Sequence, residues 1–282
     1  MIDILFCGNE GVFDGMLTCS LSILMRTKTT EPFTFRLFTM DLTSLDKKYV
    51  PISSAQVDFF NEAIKRFNPD NKAVLYDVSE HYKKYFSGCP NEGAYCSPYT
   101  LIRLFADLVD DMPDKFLYLD TDIMFNRDIK LLWDIDITEY EYAAANDHYG
   151  KYLINPGYIN AGVLLFNMVL CRKNKLFAKA RAWIMHKKLT FADQSAIIRS
   201  TKRRKLLPQR FNDQKFLHKH TVVRHFSKRL FWLPYPHTDN IKQYNIEKVH
   251  SVFHYHQFDD ILNEYIRLKY EYQQRNSQKS SD

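Results

Sequence analysis

Strands and helices alternate from the first residues of this chain, and that alternation restricts it to a layered α/β fold. Ile2-Asp3-Ile4-Leu5-Phe6-Cys7 is a short apolar run of the kind found in buried parallel strands. A turn containing Gly8 and Gly11 follows, and a helical pattern then runs over residues 12–25. Residues 33–40 alternate as a second strand. Ser53 and Gln56 form a capping box ahead of a helix whose face carries Val57, Phe60, Ile64 and Phe67. Residues 73–78 read as a third strand, and residues 100–109 as a helix carrying Arg103. Phe116-Leu117-Tyr118-Leu119 is the next strand. Tyr142-Ala143-Ala144-Ala145 and residues 158–166 are further strands, and residues 170–186 a helix. The expectation is a mostly parallel sheet flanked by helices, with ligands bound outside the carboxyl ends of its strands.

Composition narrows the function. With 282 residues, 45% of them apolar, the chain can bury one large core. The last ten residues, 273–282, are almost wholly polar and are expected to be disordered. A net charge of +6 fits an anionic ligand or surface. Five cysteines, odd in number and without C-x-x-C spacing, lead to the expectation of a reduced, cytoplasmic protein with no zinc site. No apolar run reaches the roughly 20 residues that span a bilayer. Neither G-x-G-x-x-G nor a Walker sequence is present, which argues against a dinucleotide enzyme or a P-loop NTPase.

The strongest chemical signal is Asp120-Thr121-Asp122, leaving the apolar strand Phe116-Leu117-Tyr118-Leu119. Two carboxylates at i and i+2 beyond a strand end can turn toward one hard cation, and oxygen ligands suit Mg²⁺ or Mn²⁺. Such an ion would neutralise charge on a departing nucleotide. A haloacid-dehalogenase phosphatase also begins with D-x-D. It wants Thr or Val where this chain has Met124, and it wants the motif near the N-terminus. His254, in Val252-Phe253-His254, follows a strand-like run and is a candidate third ligand. Asn160-Ala161-Gly162 interrupts a strand with small residues, a sign of close ligand approach. Asp193-Gln194 opens a helix and could present a carboxylate and an amide to a sugar. Residues 202–229 hold ten Lys or Arg and one acid, Asp213, consistent with a solvated basic face or with contact to anionic lipid.

These pieces, in this order and spacing, resemble family 8 glycosyltransferases, the group that includes glycogenin and bacterial lipooligosaccharide galactosyltransferases. The similarity covers residues 2–255 and rests on Phe116-Leu-Tyr-Leu-Asp-Thr-Asp122, Leu132-Trp-Asp134, Tyr158-Ile-Asn-Ala-Gly-Val-Leu-Leu-Phe-Asn167 and Ala192-Asp-Gln194. The resemblance implies a GT-A fold, with a Rossmann-like sheet merged with an acceptor-binding half. On that basis one catalytic domain spans residues 1–258, its donor part up to about 125 and its acceptor part from about 126. A helix and a disordered tail would follow over residues 259–282. It also implies a UDP-sugar donor, Mn²⁺ (or Mg²⁺), and hexose transfer with retention to a glycan, lipid-linked or protein-linked acceptor.

Residue by residue, the resemblance makes Asp120, Asp122 and His254 the metal ligands. It makes Asp193 and Gln194 the catalytic pair, Gln194 facing the reactive side of the anomeric carbon. Donor contacts would come from Cys7, Gly8, Asn9, Arg103, Asp120, Thr121, Asp147, Asn160, Ala161 and Gly162. Two departures stand out. Asn9 takes the place of an aspartate that the family usually carries. No glycine and no Lys-Pro-Trp tripeptide follow His254, which leaves His256 or Lys269 to meet the diphosphate. A catalytically weak or inactive nucleotide-sugar-binding member is the alternative. Peripheral membrane contact through residues 202–229 is a further expectation, and no nucleic-acid partner is expected.

Overall fold

The computed structural model describes residues 1–279 except 94–96, 232 and 234. Its centre is a seven-stranded sheet in the order β3-β2-β1-β4-β7-β6-β8. The strands are β1 (Ile2–Cys7), β2 (Phe33–Thr39), β3 (Lys72–Asp77), β4 (Lys115–Leu119), β6 (Tyr142–Ala145), β7 (Val163–Asn167) and β8 (Arg204–Leu207). Outside it, β5 (Ile123–Phe125) pairs antiparallel with β9 (Val223–His225), and β10 (Arg229–Phe231) with β11 (His237–Asp239).

Successive side chains of β1, β2 and β4 point to opposite faces, and nearly all are buried because both faces of the sheet are covered. Ile2, Ile4 and Phe6, with Phe33, Phe35, Leu37, Leu117 and Leu119, enter one core. Leu5, Cys7, Phe38, Phe116 and Tyr118 enter a second core on the opposite face. The first core is closed by α1 (Phe13–Arg26) and α2 (Ser54–Lys65), the latter started by the expected Ser53/Gln56 capping box, and by the long C-terminal helix α10 (Asp259–Lys279). The second is closed largely by α6 (Met168–Asn174), α7 (Leu176–His186) and α8 (Ala192–Ser200). The short helices are α3 (Ser79–Tyr85), α4 (Lys130–Trp133), α5 (Gly150–Leu153) and α9 (Ile246–Phe253).

Several expectations change. Arg103 sits in a 3-10 stretch, Ile102–Leu108, and not in an α-helix. The single helix expected over residues 170–186 is two, divided where Lys175 adopts φ 56°. The tail is helical as far as Lys279, because Ile261, Leu262, Tyr265 and Leu268 bury one face of α10 against the body. Val252-Phe253 closes the helix α9 and is not a strand; the Asn245 side chain caps that helix by accepting from the Lys248 amide.

One sheet edge collects the candidate residues. β1, β2, β3 and β4 run parallel, and the chain order reverses between β1 and β4, the place where such sheets open a crevice. β7 is antiparallel to β4, so it contributes its amino end, Asn160-Ala161-Gly162, to the edge where β4 contributes its carboxyl end. β6, antiparallel to β7, brings Asp147 there from its own carboxyl end. The donor and acceptor parts assigned from sequence therefore share one continuous sheet.

Candidate functional site

The Asp120-Thr121-Asp122 run is held by backbone on three sides. The Asp120 amide donates to the Gly162 carbonyl at 2.8 Å, extending the β4–β7 ladder by one bond. The Phe226 amide donates to the Asp122 carbonyl at 2.7 Å, and Ile123 pairs with His225 across β5 and β9. Helix α1 presses on the run from behind: a Cβ on Gly15 would stand 2.4 Å from the Thr121 carbonyl oxygen, so only glycine fits. The Gln243 side-chain amide bridges the Thr121 carbonyl (2.7 Å) to the Thr18 hydroxyl (3.0 Å), locking run and helix together.

This pairing brings His225 to the two carboxylates. Its Nε2 lies 3.0 Å from Asp122 Oδ1 and 3.8 Å from Asp120 Oδ2. Asp120, Asp122 and His225 each point one ligand atom into a common space, all within 4.8 Å of one another. His254 does not join them. It ends α9 in a left-handed conformation (φ 55°) with its side chain exposed, because residues 246–253 coil into a helix where a strand was expected.

The ring of His225 is oriented by a chain of amides. Asn160 Oδ1 accepts from both the Gly162 amide and the Asn212 side-chain amide, each at 2.9 Å. That leaves the Asn212 carbonyl oxygen to face His225 Nδ1 at 3.0 Å, so Nδ1 carries the proton and Nε2 the lone pair. In this tautomer Nε2 and Asp122 Oδ1 are two acceptors 3.0 Å apart, and Asp122 Oδ1 is buried without a hydrogen-bond partner. A cation between them removes the conflict. The donor set of two carboxylates and one imidazole fits Mn²⁺ or Mg²⁺. Gly162 is part of the fit: a Cβ there would lie 2.4 Å from His225 Cε1 and 2.8 Å from Asp120 Oδ2.

Charge around the cluster is arranged in two layers. Burial opposes ionisation of Asp122, but an imidazolium at His225 and the Lys242 ammonium outweigh it and hold the carboxyl well below the usual carboxylate range; a bound cation would take the place of the Nε2 proton and its charge. The Lys242 ammonium is 2.7 Å from Asp122 Oδ2. Behind Asp120 lies Arg103, 2% exposed, whose guanidinium stacks 3.8 Å from the Tyr118 ring centroid. It donates to the Ala161 carbonyl at 2.6 Å and to Asp120 Oδ1 at 3.2 Å, and its Nε lies 3.3 Å from Asp193 Oδ2. Removing one member of such a buried pair leaves an uncompensated charge, at a cost of about 3–5 kcal/mol. Burial pushes the Asp193 carboxyl up, against the pull of Arg103.

The remaining candidates fall around this centre. Gln194 Oε1 accepts from the Ala161 amide at 3.0 Å. Asp147 accepts from the Asn160 side-chain amide (3.0 Å) and the Gly150 amide (2.7 Å). At the end of β1, Asn9 is buried and its side-chain amide donates to the Lys48 carbonyl. The Gly8 amide donates to the Phe38 carbonyl. Cys7 is buried near Arg103 and Asp120, and burial raises its thiol far above the normal range, so it serves as lining.

The two residues expected to meet a diphosphate are engaged elsewhere: Lys269 with Asp14 and Tyr265, His256 with Asp259 near His250. Lys242 and His225 are what the sequence reading missed. A usable signal for His225 was its place at the end of the β-branched run Val222-Val223, with Phe226-Ser227-Lys228-Arg229 following. The basic segment does not form one face. Arg203 pairs with Glu139, Arg204 donates to the Gly157 carbonyl, and Arg224 is fully buried, while Lys215, Lys228 and Arg229 line a cavity beside Asp147. Among the described residues no helix is long and apolar enough to cross a membrane.

The family model described as glycosyl transferase family 8 matches residues 3–255. Glycosyltransferase GlyA of Streptococcus pneumoniae is 34% identical over 152 residues, covering 50% of this chain and 20% of its own length. A putative glycosyltransferase of Haemophilus influenzae is 28% identical over 139 residues, 42% of each chain. The matches thus span well under two thirds of these relatives' lengths. Among solved structures, the bifunctional glycosyltransferase WbbM superposes with a TM-score of 0.68 at 16% identity, covering 94% of this chain and 49% of that one. The galactosyltransferase LgtC, in complex with donor and acceptor sugar analogs, gives 0.61 at 20% identity, covering 79% and 86%. The fold is the GT-A fold of glycosyltransferases. Within that class, the chain belongs to glycosyl transferase family 8.

Proposed function

We propose that the chain transfers a hexose, glucose or galactose, from a UDP-sugar to a glycan, lipid-linked or protein-linked acceptor, with retention at the anomeric carbon. The observation that carries this reading is the Asp120/Asp122/His225 cluster, with its two facing acceptors, at the sheet edge that also holds Asn160, Asp193 and Gln194. An Mn²⁺ or Mg²⁺ ion held by Asp120, Asp122 and His225 would supply charge neutralisation on the departing diphosphate.

The chain's own groups have separable tasks. Lys242, beside Asp122, supplies the ammonium that a diphosphate needs, in a place the Lys-Pro-Trp pattern would not have indicated. Arg103 fixes Asp120 and Asp193 rigidly behind the donor. Asp147 and Asn160, already bonded to each other, offer their remaining valences to sugar hydroxyls. Asp193 is buried against Arg103, and Gln194 has its carbonyl oxygen occupied by the Ala161 amide, so neither is a ready nucleophile. The arrangement favours same-face attack, with the departing phosphate taking the acceptor's proton.

The test is UDP release from a panel of UDP-sugars in the presence of Mn²⁺. Turnover of UDP-glucose or UDP-galactose is expected, with a loss of roughly 100-fold or more in an Asp120→Asn/Asp122→Asn double variant. Unchanged turnover by that variant would overturn the metal role. Tight, metal-dependent UDP binding without turnover of any donor would leave the chain as an inactive nucleotide-sugar-binding member of the family.

A further inference from the structure

A cavity of about 830 Å³ opens beside Asp147 and Asn160, the residues that tie the metal cluster to β6 and β7. That volume lies in the range of pockets that enclose small ligands. Its lining is strongly one-sided in charge. Five cations, Lys188, Arg199, Lys215, Lys228 and Arg229, face one carboxylate, Asp147. Asp147 already accepts from the Asn160, Tyr149 and Gly150 N–H groups.

Among the described residues, Lys188, Arg199, Lys215 and Arg229 make no ion pair with a carboxylate. Three of them rest against rings instead: Arg199 over Trp183 (5.2 Å), Lys215 over Phe216 (5.2 Å) and Arg229 over Phe216 (5.3 Å). Elsewhere several basic groups do find acids: Arg203 with Glu139, Lys130 with Glu31 and Asp134, Arg26 with Asp260. A concave wall of like charges concentrates the field and draws in an anion. His148 also lines the cavity, and burial, then Lys215 and Lys151, hold its imidazole below its ordinary value. The lining also includes the partly exposed rings of Tyr149 and Phe191, suited to the face of a sugar.

We infer that this cavity receives the acceptor, and that the acceptor is an anionic saccharide, a sugar carrying a phosphate or carboxylate. The inference rests on the transfer reading above for its placement beside the donor, but not for its charge. Sugar rings would stack toward Tyr149 and Phe191, while the anionic group meets Lys188, Lys215 and Arg229.

The experiment measures binding by calorimetry in saturating UDP and Mn²⁺, so that the donor site cannot take up the probe. Glucose 6-phosphate, glucuronate and glucose are compared on the full chain and on a Lys188→Gln/Lys215→Gln/Arg229→Gln variant whose fold is checked by circular dichroism. Glucose 6-phosphate or glucuronate is expected to bind at least roughly tenfold tighter than glucose, the difference one charge-assisted contact makes. The variant should erase that difference, and the stronger of the two probes identifies phosphate or carboxylate as the anion. Equal binding of all three sugars, or a preference that survives in the variant, would overturn the inference. UDP binding, measured first, reports separately on the donor reading: its absence would count against that reading and not against the charge of the cavity.

Discussion

Gly162 shows how much of the site depends on one missing side chain. Its Cα stands where a methyl group would meet both His225 and Asp120, so the imidazole can approach the carboxylates only over glycine. Gly162→Ala should leave the two cores untouched but displace the His225 ring, weakening Mn²⁺ binding by about 10- to 100-fold, as loss of supporting contacts around a metal does. Titration with Mn²⁺, alongside a thermal melt to show the fold is intact, checks this; unchanged affinity would mean that the ring is not a ligand. At this scale the sequence was informative wherever signal and function lie together. Asp120-Thr121-Asp122, Asn160-Ala161-Gly162 and Asp193-Gln194 are local patterns, and the structure gathers all three at one sheet edge. His225 was not legible, since it is one of ten histidines and its position comes from a strand pairing about 100 residues long in sequence separation. Lys242 was hidden for the same reason.

Among the elements, the regular alternation of the first half was readable because buried parallel strands carry continuous apolar runs. Errors arose where the same apolar residues fit two periods. Val249-His250-Ser251-Val252-Phe253 suits a short strand or a helix, and the Asn245 cap decided for the helix. The break between α6 and α7 was invisible for another reason. Lys175, with φ 56° and ψ 40°, is a β-carbon-bearing residue in the left-handed region, and no glycine marked the turn. Lys175→Gly is expected to stabilise the fold by about 1 kcal/mol, because the left-handed strain exceeds glycine's extra entropy in the unfolded chain. Urea denaturation would show the midpoint rising at constant slope; a fall would mean that the Lys175 side chain contributes packing that outweighs the strain.

For the molecule as a whole, a C-terminal helix was expected with a disordered tail over residues 273–282, and instead α10 continues to Lys279, 21 residues across the first core. Among the described residues, the ion pairs that tie it to the body include Arg26–Asp260, Arg66–Glu271, Lys269–Asp14 and Arg275–Glu62. Exposed pairs of this kind contribute about 0–1 kcal/mol each. Burial of Ile261, Leu262 and Leu268 contributes about 5–9 kcal/mol at most, so the apolar face governs. That is comparable to the entire stability of a typical domain, about 5–15 kcal/mol. A chain ending at residue 258 should therefore lose cooperative unfolding, and a sharp melt within a few degrees of the full chain would refute this role for the helix. The central claim also belongs to the whole molecule, because it joins residues from β4 and β9 in one cation site. The most direct measurement is Mn²⁺-dependent UDP binding to His225→Ala and His254→Ala variants. The account predicts that His225→Ala abolishes the dependence on Mn²⁺ while His254→Ala binds as the parent does; full binding by His225→Ala, with loss in His254→Ala, would contradict it.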